Sequence, residues 1–190
     1  MSDTNERIAK YKEIMIGKAH SAQIADIIIK KLVELGFFDA PASTKFHGAH
    51  EGGLFDHSAA VTDALVNLTD KLGLEWQLPR SPYIVGMYHD LCKCDTYKRT
   101  ADDFVPYAHN NNTLLNGHGE KSVIVLQQLF AKCGCGIHPL TDEEIACIRW
   151  HMGAFDDKTN WDYYSNACSI YPNVLYAHTA DMIAFKIVGI

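Results

Sequence analysis

A chain of 190 residues is long enough for one packed core and short for two, and its 47% hydrophobic and 21% charged residues are the profile of a globular domain. No run approaches the roughly 20 apolar residues that span a bilayer. Residues 1–6 are polar with no export signal, so the expectation is a cytoplasmic protein without membrane contact. The formal charge of −6, with no lysine or arginine stripe, argues against long nucleic acid, whose binding rests on many phosphate contacts. A small anionic substrate stays open, because bound metal can supply local positive charge.

Ile8, Tyr11, Ile14 and Met15 form one apolar stripe at helical spacing. Ile24, Ile27, Ile28, Leu32 and Leu35 form a second, which Gly36 ends. Residues 37–53 read as loop, with Pro41, Ser43, Gly48 and a closing Gly52-Gly53 pair. The pattern then predicts helices over about 55–72, with His57, Val61, Leu65 and Leu68 on one face, and over about 81–93. Residues 95–117 are polar and poorly periodic. Within them, 96–99 and 104–107 flank the turn-like Ala101-Asp102-Asp103, which predicts a short β-hairpin. Further helices are expected over about 119–131, 142–152 and 172–188, with a short one over 161–167. Thr141 and Glu144 have capping-box spacing, and Pro172 suits a first helical turn. With no repeat and no linker, the expected fold is all-α: residues 1–36 as N-terminal helices packed on one domain of 37–190.

Six cysteines without an export signal read as free thiols. Cys92/Cys94 and Cys133/Cys135, with His138 nearby, have C-x-C spacing. Zinc sites favour wider spacings, so buried thiols packed as small hydrophobes are the preferred reading.

Ten histidines is a high count, and their placement carries the chemistry. His57 shares its face with core residues. His89 and Asp90 are adjacent in an otherwise apolar segment, where Gly86 could let a neighbouring helix approach closely. His118 begins a helix whose matching face carries Ser122, Val125 and Leu129, and His151 ends one in line with Cys147 and Ile148. Asp181 lies among Val174, Ala177, Ala184 and Phe185, with His178 one turn before it as a supporting or structural residue. A carboxylate on a buried face is costly unless paired, hydrogen-bonded or bound to metal. One core histidine alone is more often structural, but imidazoles and carboxylates on the inner faces of five helices are explained together by a metal centre. His57, His89, Asp90 and Asp181 would hold one ion, and His118 and His151 a second that Asp90 bridges. One or two ions of manganese, iron, cobalt, nickel or zinc suit these donors. Such a centre can lower the pKa of a bound water and polarise a phosphoryl oxygen. Lys93 would steady the phosphate as a point charge, its bland alternative being a solvated lysine at a helix C-terminus.

This order of residues resembles the HD-domain superfamily, defined by His, His-Asp and Asp, here His57, His89-Asp90 and Asp181. His89-Asp90-Leu91-Cys92-Lys93 looks like its HD-x-x-K segment. Phe46-His47-Gly48-Ala49-His50-Glu51-Gly52-Gly53-Leu54-Phe55-Asp56-His57 looks like the F-H-x-A-x-x-G-G-L-x-x-H stretch of a narrower branch. That branch includes HD-domain exoribonucleases of Gram-positive bacteria and many small bacterial and phage proteins. His118-Gly119-Glu120-Lys121-Ser122 and Arg149-Trp150-His151-Met152-Gly153 are similar to later motifs of those small proteins. The resemblance runs from about residue 37 to residue 190. It implies an all-helical metal-binding fold that hydrolyses a phosphate ester, with metal ligation by His57, His89, Asp90 and Asp181. Asp90 and Lys93 are then the catalytic candidates. His118 and His151 match the extra histidines of two-metal members; in one-metal members these contact substrate instead. Lys93, His118, His151 and Arg99 are therefore the candidate substrate contacts, Arg99 through a lid formed with Tyr97, Lys98 and Tyr107. His47 and His50, in the loop before the metal helix, lean towards packing.

The exoribonucleases carry a separate nucleic-acid module that these two short N-terminal helices do not match. The expected substrate is accordingly a nucleotide or short oligonucleotide, with assembly as a homo-oligomer left open. Two other functions fit the same residues: a di-iron oxygenase of the HD type, and a nucleotide sensor without turnover.

Overall fold

The stripes of the sequence fold into helices that bury them in one core. The structure, a computed structural model, describes residues 3–45, 48–134 and 139–190. In chain order it runs α1 (Asp3–Met15), α2 (Ala22–Leu35), α3 (Gly53–Leu72), α4 (Ser81–Tyr88), α5 (Lys93–Thr96), β1 (Tyr97–Arg99), β2 (Tyr107–His109), α6 (Gly119–Cys133), α7 (Asp142–Trp150), α8 (Trp161–Ile170) and α9 (Asn173–Ile183). The fold is all-α with one short antiparallel hairpin. Among the described residues, no helix is long and apolar enough to cross a membrane.

Local chemistry sets the helix ends. Ser21 Oγ accepts from Ile24 N to begin α2, and Gly36 closes it. The Thr141/Glu144 capping box of α7 is formed in both directions. The Gly52-Gly53 pair is demanded by space: a Cβ on Gly53 would lie 2.1 Å from the Gly48 carbonyl oxygen. The loop therefore folds back against the first turn of α3.

α3 is the central helix, packed on α4 and α9 and touched by α1, while α7 packs between α6 and α9. Gly86 makes the α3–α4 approach close, since a Cβ there would meet Thr62 Cα at 2.6 Å. Tyr11, Met15, Ile28 and Leu32 of the N-terminal helices share the core with Phe37, Phe38, Leu54 and Leu65. A buried polar chain ties them to α4: Tyr11 and Tyr88 hydroxyls hydrogen-bond, and His20 Nε2 lies 3.1 Å from the Tyr88 hydroxyl. Burial, helped by the charge of Arg80, pushes His20 down to about 4, so it stays neutral and can accept from the tyrosine.

Three expected elements are corrected. The helix expected over 81–93 stops at Tyr88, and His89–Cys92 form tighter turns before α5. The physical reason is competition: His89 Nδ1–H donates to Gly86 O at 2.8 Å, the carbonyl that Asp90 N would otherwise use. The second hairpin strand is Tyr107–His109, not 104–107, and Arg99 pairs with Tyr107. Thr100 and Asp102 capture backbone groups of the intervening loop, Asp102 Oδ1 accepting from Phe104 N at 2.8 Å. Pro106 cannot donate to a ladder. The last helix begins after Pro172, remains α-helical to Ile183, and widens into a π turn over Ala184–Val188. Ala184 O then accepts from both Gly189 N (3.0 Å) and Ile190 N (3.2 Å), which turns the chain back towards α3.

Candidate metal centre

Five separate segments deliver one cluster. His57 sits in the first turns of α3 and Asp181 near the end of α9. His89 and Asp90 occupy the turn after α4, His151 caps the C-terminus of α7, and His118 occupies the N-cap of α6. Asp90 is the hub. Its Oδ2 lies 3.4 Å from His89 Nε2, 3.7 Å from His57 Nε2 and 2.6 Å from Lys93 Nζ. Its Oδ1 lies 3.0 Å from His118 Nε2 and 3.5 Å from His151 Nε2. His57 Nε2 reaches Asp181 Oδ1 at 3.1 Å, and the Nε2 atoms of His118 and His151 are 3.1 Å apart.

The other ring nitrogens explain why the Nε2 atoms converge. His57 Nδ1 donates to Ile190 O (3.1 Å), His89 Nδ1 to Gly86 O (2.8 Å) and His151 Nδ1 to Ile148 O (2.7 Å). A carbonyl can only accept, so each neutral ring turns the Nε2 lone pair inward. His89 and His151 use the same device, an end-of-helix histidine bonded to the carbonyl three residues back. His178 supports the second of them, donating from Nδ1 to His151 O at 2.8 Å.

Lone pairs facing carboxylate oxygens repel unless a cation lies between them. His89 Nε2 and Asp90 Oδ1 are fully buried, and among the described residues neither has a hydrogen-bond partner; the approach of His118 to Asp90 Oδ1 is close but not aligned for donation. Orphaned buried groups of this kind are expensive and require a partner. Three overlapping sets of donors lie close enough to share an ion: His57, His89 and Asp181; His89, Asp90 and His151; Asp90, Cys92 and His118. The buried residues fit a metal ion.

The charges are already organised for one. Burial alone would raise the Asp90 pKa, but Lys93, His89 and His118 hold it well below the usual carboxylate range. Asp181, raised by burial but lowered by the His57 ring 3.1 Å away and by His89 and His151, stands at about 2. Lys93 is not the solvated lysine of the bland alternative. Its side chain is only 17% exposed, and although burial opposes its charge, Asp90 holds its ammonium well above the usual lysine range.

Of the hairpin residues, Tyr97 lies close enough to feel the charges of Lys93 and Asp90, whereas Arg99 is turned elsewhere. Arg99 has its guanidinium 3.6 Å from the Glu51 carboxylate and makes no ion pair with the cluster. His50 is exposed and pairs with Asp56, whereas His47, Cys135 and His138 lie outside the described residues. Cys92, Cys94 and Cys133 are free thiols.

Cys92 is the member that the sequence reading missed. Its Sγ hydrogen-bonds with His118 Nδ1 at 3.2 Å, its backbone N–H donates to Ser122 Oγ at 3.1 Å, and burial pushes its thiol up to about 12. It thereby staples the His89–Cys92 turn to the first turn of α6. The available signal was its position three residues after His89, one turn on in the same segment. Sulfur is a weaker partner than the carbonyls that hold the other three rings, which leaves His118 the least firmly held. Cys92→Ala is expected to weaken the His118/His151 half of the centre by about 10- to 100-fold in metal affinity, the usual scale for a group that orients a ligand. A metal titration followed by elemental analysis checks this; unchanged binding, or equal loss from both halves, would count against the role.

Comparison of the chain with protein-family models, with curated proteins and with solved structures found no match.

Proposed function

We propose that this protein is a metal-dependent phosphohydrolase of the HD-domain kind, cleaving a phosphate ester of a nucleotide or short oligonucleotide. The observation that carries the reading is the convergence of four imidazole Nε2 atoms on Asp90, with Asp181 against one of them and buried donors left unpartnered. Mixed imidazole and carboxylate donors suit manganese, iron, cobalt, nickel or zinc. A divalent ion held there supplies an activated water and polarises a phosphoryl oxygen.

The residues of the chain divide the remaining work. Asp90 has one oxygen towards His57 and His89 and the other towards His118 and His151, so its two oxygens face two adjoining halves, one or both of which would hold an ion. The two carboxylates Asp90 and Asp181 outnumber the one ammonium of Lys93, an imbalance against phosphate that a divalent ion would offset. Lys93 offsets part of the Asp90 charge and has further N–H donors for a phosphate oxygen. His118, with 36% of its side chain exposed, marks the side from which substrate approaches.

Elemental analysis of the purified protein, with phosphate release measured across nucleotides and bis-nitrophenyl phosphate, tests this. About one or two transition-metal ions per chain, with release that a chelator abolishes, is the expected result. Iron with oxygen consumption and no hydrolysis would establish the oxygenase instead. A folded protein that binds nucleotide but releases no phosphate, even after added manganese, cobalt or nickel, would leave a sensor.

A further inference from the structure

Beside the metal cluster the chain builds a second recess of different character, about 370 Å³ in volume. That lies within the range of small-ligand pockets, about 300–1,000 Å³. Its charged member is Lys121, only 3% exposed and paired with Asp95, so the recess offers no free charge to an anion. The walls come mostly from β2 and the loop before α6, and they carry three asparagines, Asn110, Asn111 and Asn116. Asn110 is committed to structure: its backbone N–H donates to Thr96 O, its Nδ2 to Asp95 O, and its Oδ1 accepts from Asn112 N. Asn111 and Asn116 are exposed, and no hydrogen bond within the described protein engages their side chains. Each presents a carbonyl acceptor next to two N–H donors. His109 lines the same recess, its ring 5.2 Å from that of Tyr97.

The recess adjoins the cluster on two sides. Gly117, in its wall, is the residue before His118, so their Cα atoms are about 3.8 Å apart. Thr96, on another wall, donates from Oγ1 to Cys92 O at 2.7 Å and lies one turn beyond Lys93. The recess thus shares its walls with the segments that carry His118 and the Cys92 turn.

We infer that this recess is the subsite for a nucleobase, a planar uncharged group with adjacent hydrogen-bond donors and acceptors, on a substrate whose phosphate lies at the metal cluster. The inference rests on the phosphohydrolase reading for the phosphate end only. Asparagine amides match base edges bidentately, and an aromatic ring at the wall suits a flat group. A second phosphate would need a free cation, and Lys121 is already paired.

The test compares two substrates and two ligands. In the double variant Asn111→Ala/Asn116→Ala, the preference in kcat/KM for a nucleoside monophosphate over p-nitrophenyl phosphate falls about tenfold, the loss expected for one or two hydrogen bonds. An unchanged preference overturns the subsite. Separately, in the unaltered protein, the Asn111 and Asn116 side-chain amide resonances shift on adding a nucleoside that carries no phosphate, and not on adding ribose 5-phosphate. Failure of every phosphate ester to react would sink the phosphohydrolase reading while leaving this second arm decisive. Hydrolysis with unmoved amide resonances would sink the nucleobase subsite alone.

Discussion

Asp90→Ala abolishes metal retention and lowers phosphate release by about three orders of magnitude or more, the scale of losing a central electrostatic group. Asp90 contacts both halves of the cluster, one through each oxygen: Lys93 at 2.6 Å and His89 at 3.4 Å through one, His118 at 3.0 Å and His151 at 3.5 Å through the other. Truncation also strands the largely buried Lys93 ammonium, and breaking a buried pair from one side costs about 3–5 kcal/mol. Loss of fold and loss of metal must therefore be separated. Asp90→Asn retains an oxygen for Lys93 and the shape of the carboxylate, but removes the charge. Its urea midpoint should stay near that of the unaltered protein while its metal content falls. The double variant Asp90→Ala/Lys93→Met should recover stability relative to Asp90→Ala and remain without metal. Dialysis followed by elemental analysis, with urea unfolding in parallel, reads both quantities. An undiminished rate in Asp90→Ala would remove Asp90 from the reaction altogether.

Gly86→Ala should damage the same centre without touching a ligand. The added Cβ would lie 2.6 Å from Thr62 Cα and 2.9 Å from Thr62 N, backbone atoms of a central helix that cannot swing aside as a side-chain tip can. The α3–α4 pair must separate, at a cost of about 1–3 kcal/mol for overpacking of this kind. Gly86 also supplies the carbonyl that fixes the His89 ring, so the shift reaches the metal donors. A fall in metal affinity of about 10- to 100-fold is expected beside the lost stability. Thermal unfolding with and without added metal measures the two together. A variant with the melting temperature and metal content of the unaltered protein would show that the close approach is dispensable.

Much of this was legible from short-range rules. The stripes of α1 and α2, the glycine stop at Gly36, the Thr141/Glu144 box and the close-packing glycine at Gly86 are read over three to four residues, which is the reach of helical periodicity and capping. The metal candidates were legible for a similar reason: a carboxylate or imidazole on an apolar face is conspicuous wherever it folds. The structure brings His57, His89, Asp90, His118, His151, Asp181 and Lys93 into one network, while Arg99 goes to Glu51.

What local rules could not reach depends on partners remote in the chain or on side chains competing with the backbone. The helix expected through His89 ends before it because the imidazole takes a backbone acceptor. The hairpin register moved because its loop satisfies its own polar groups and Pro106 has no N–H to donate. His57 is oriented by Ile190 O, 133 positions away, after a π turn that no periodicity announces. Cys92 read as a small hydrophobe until α6 was placed against it. The sequence by itself determined which helices form and which polar side chains they carry inward. Only the tertiary structure decided which nitrogen each histidine presents, because that choice belongs to whichever carbonyl or thiol the fold brings to the far side of the ring.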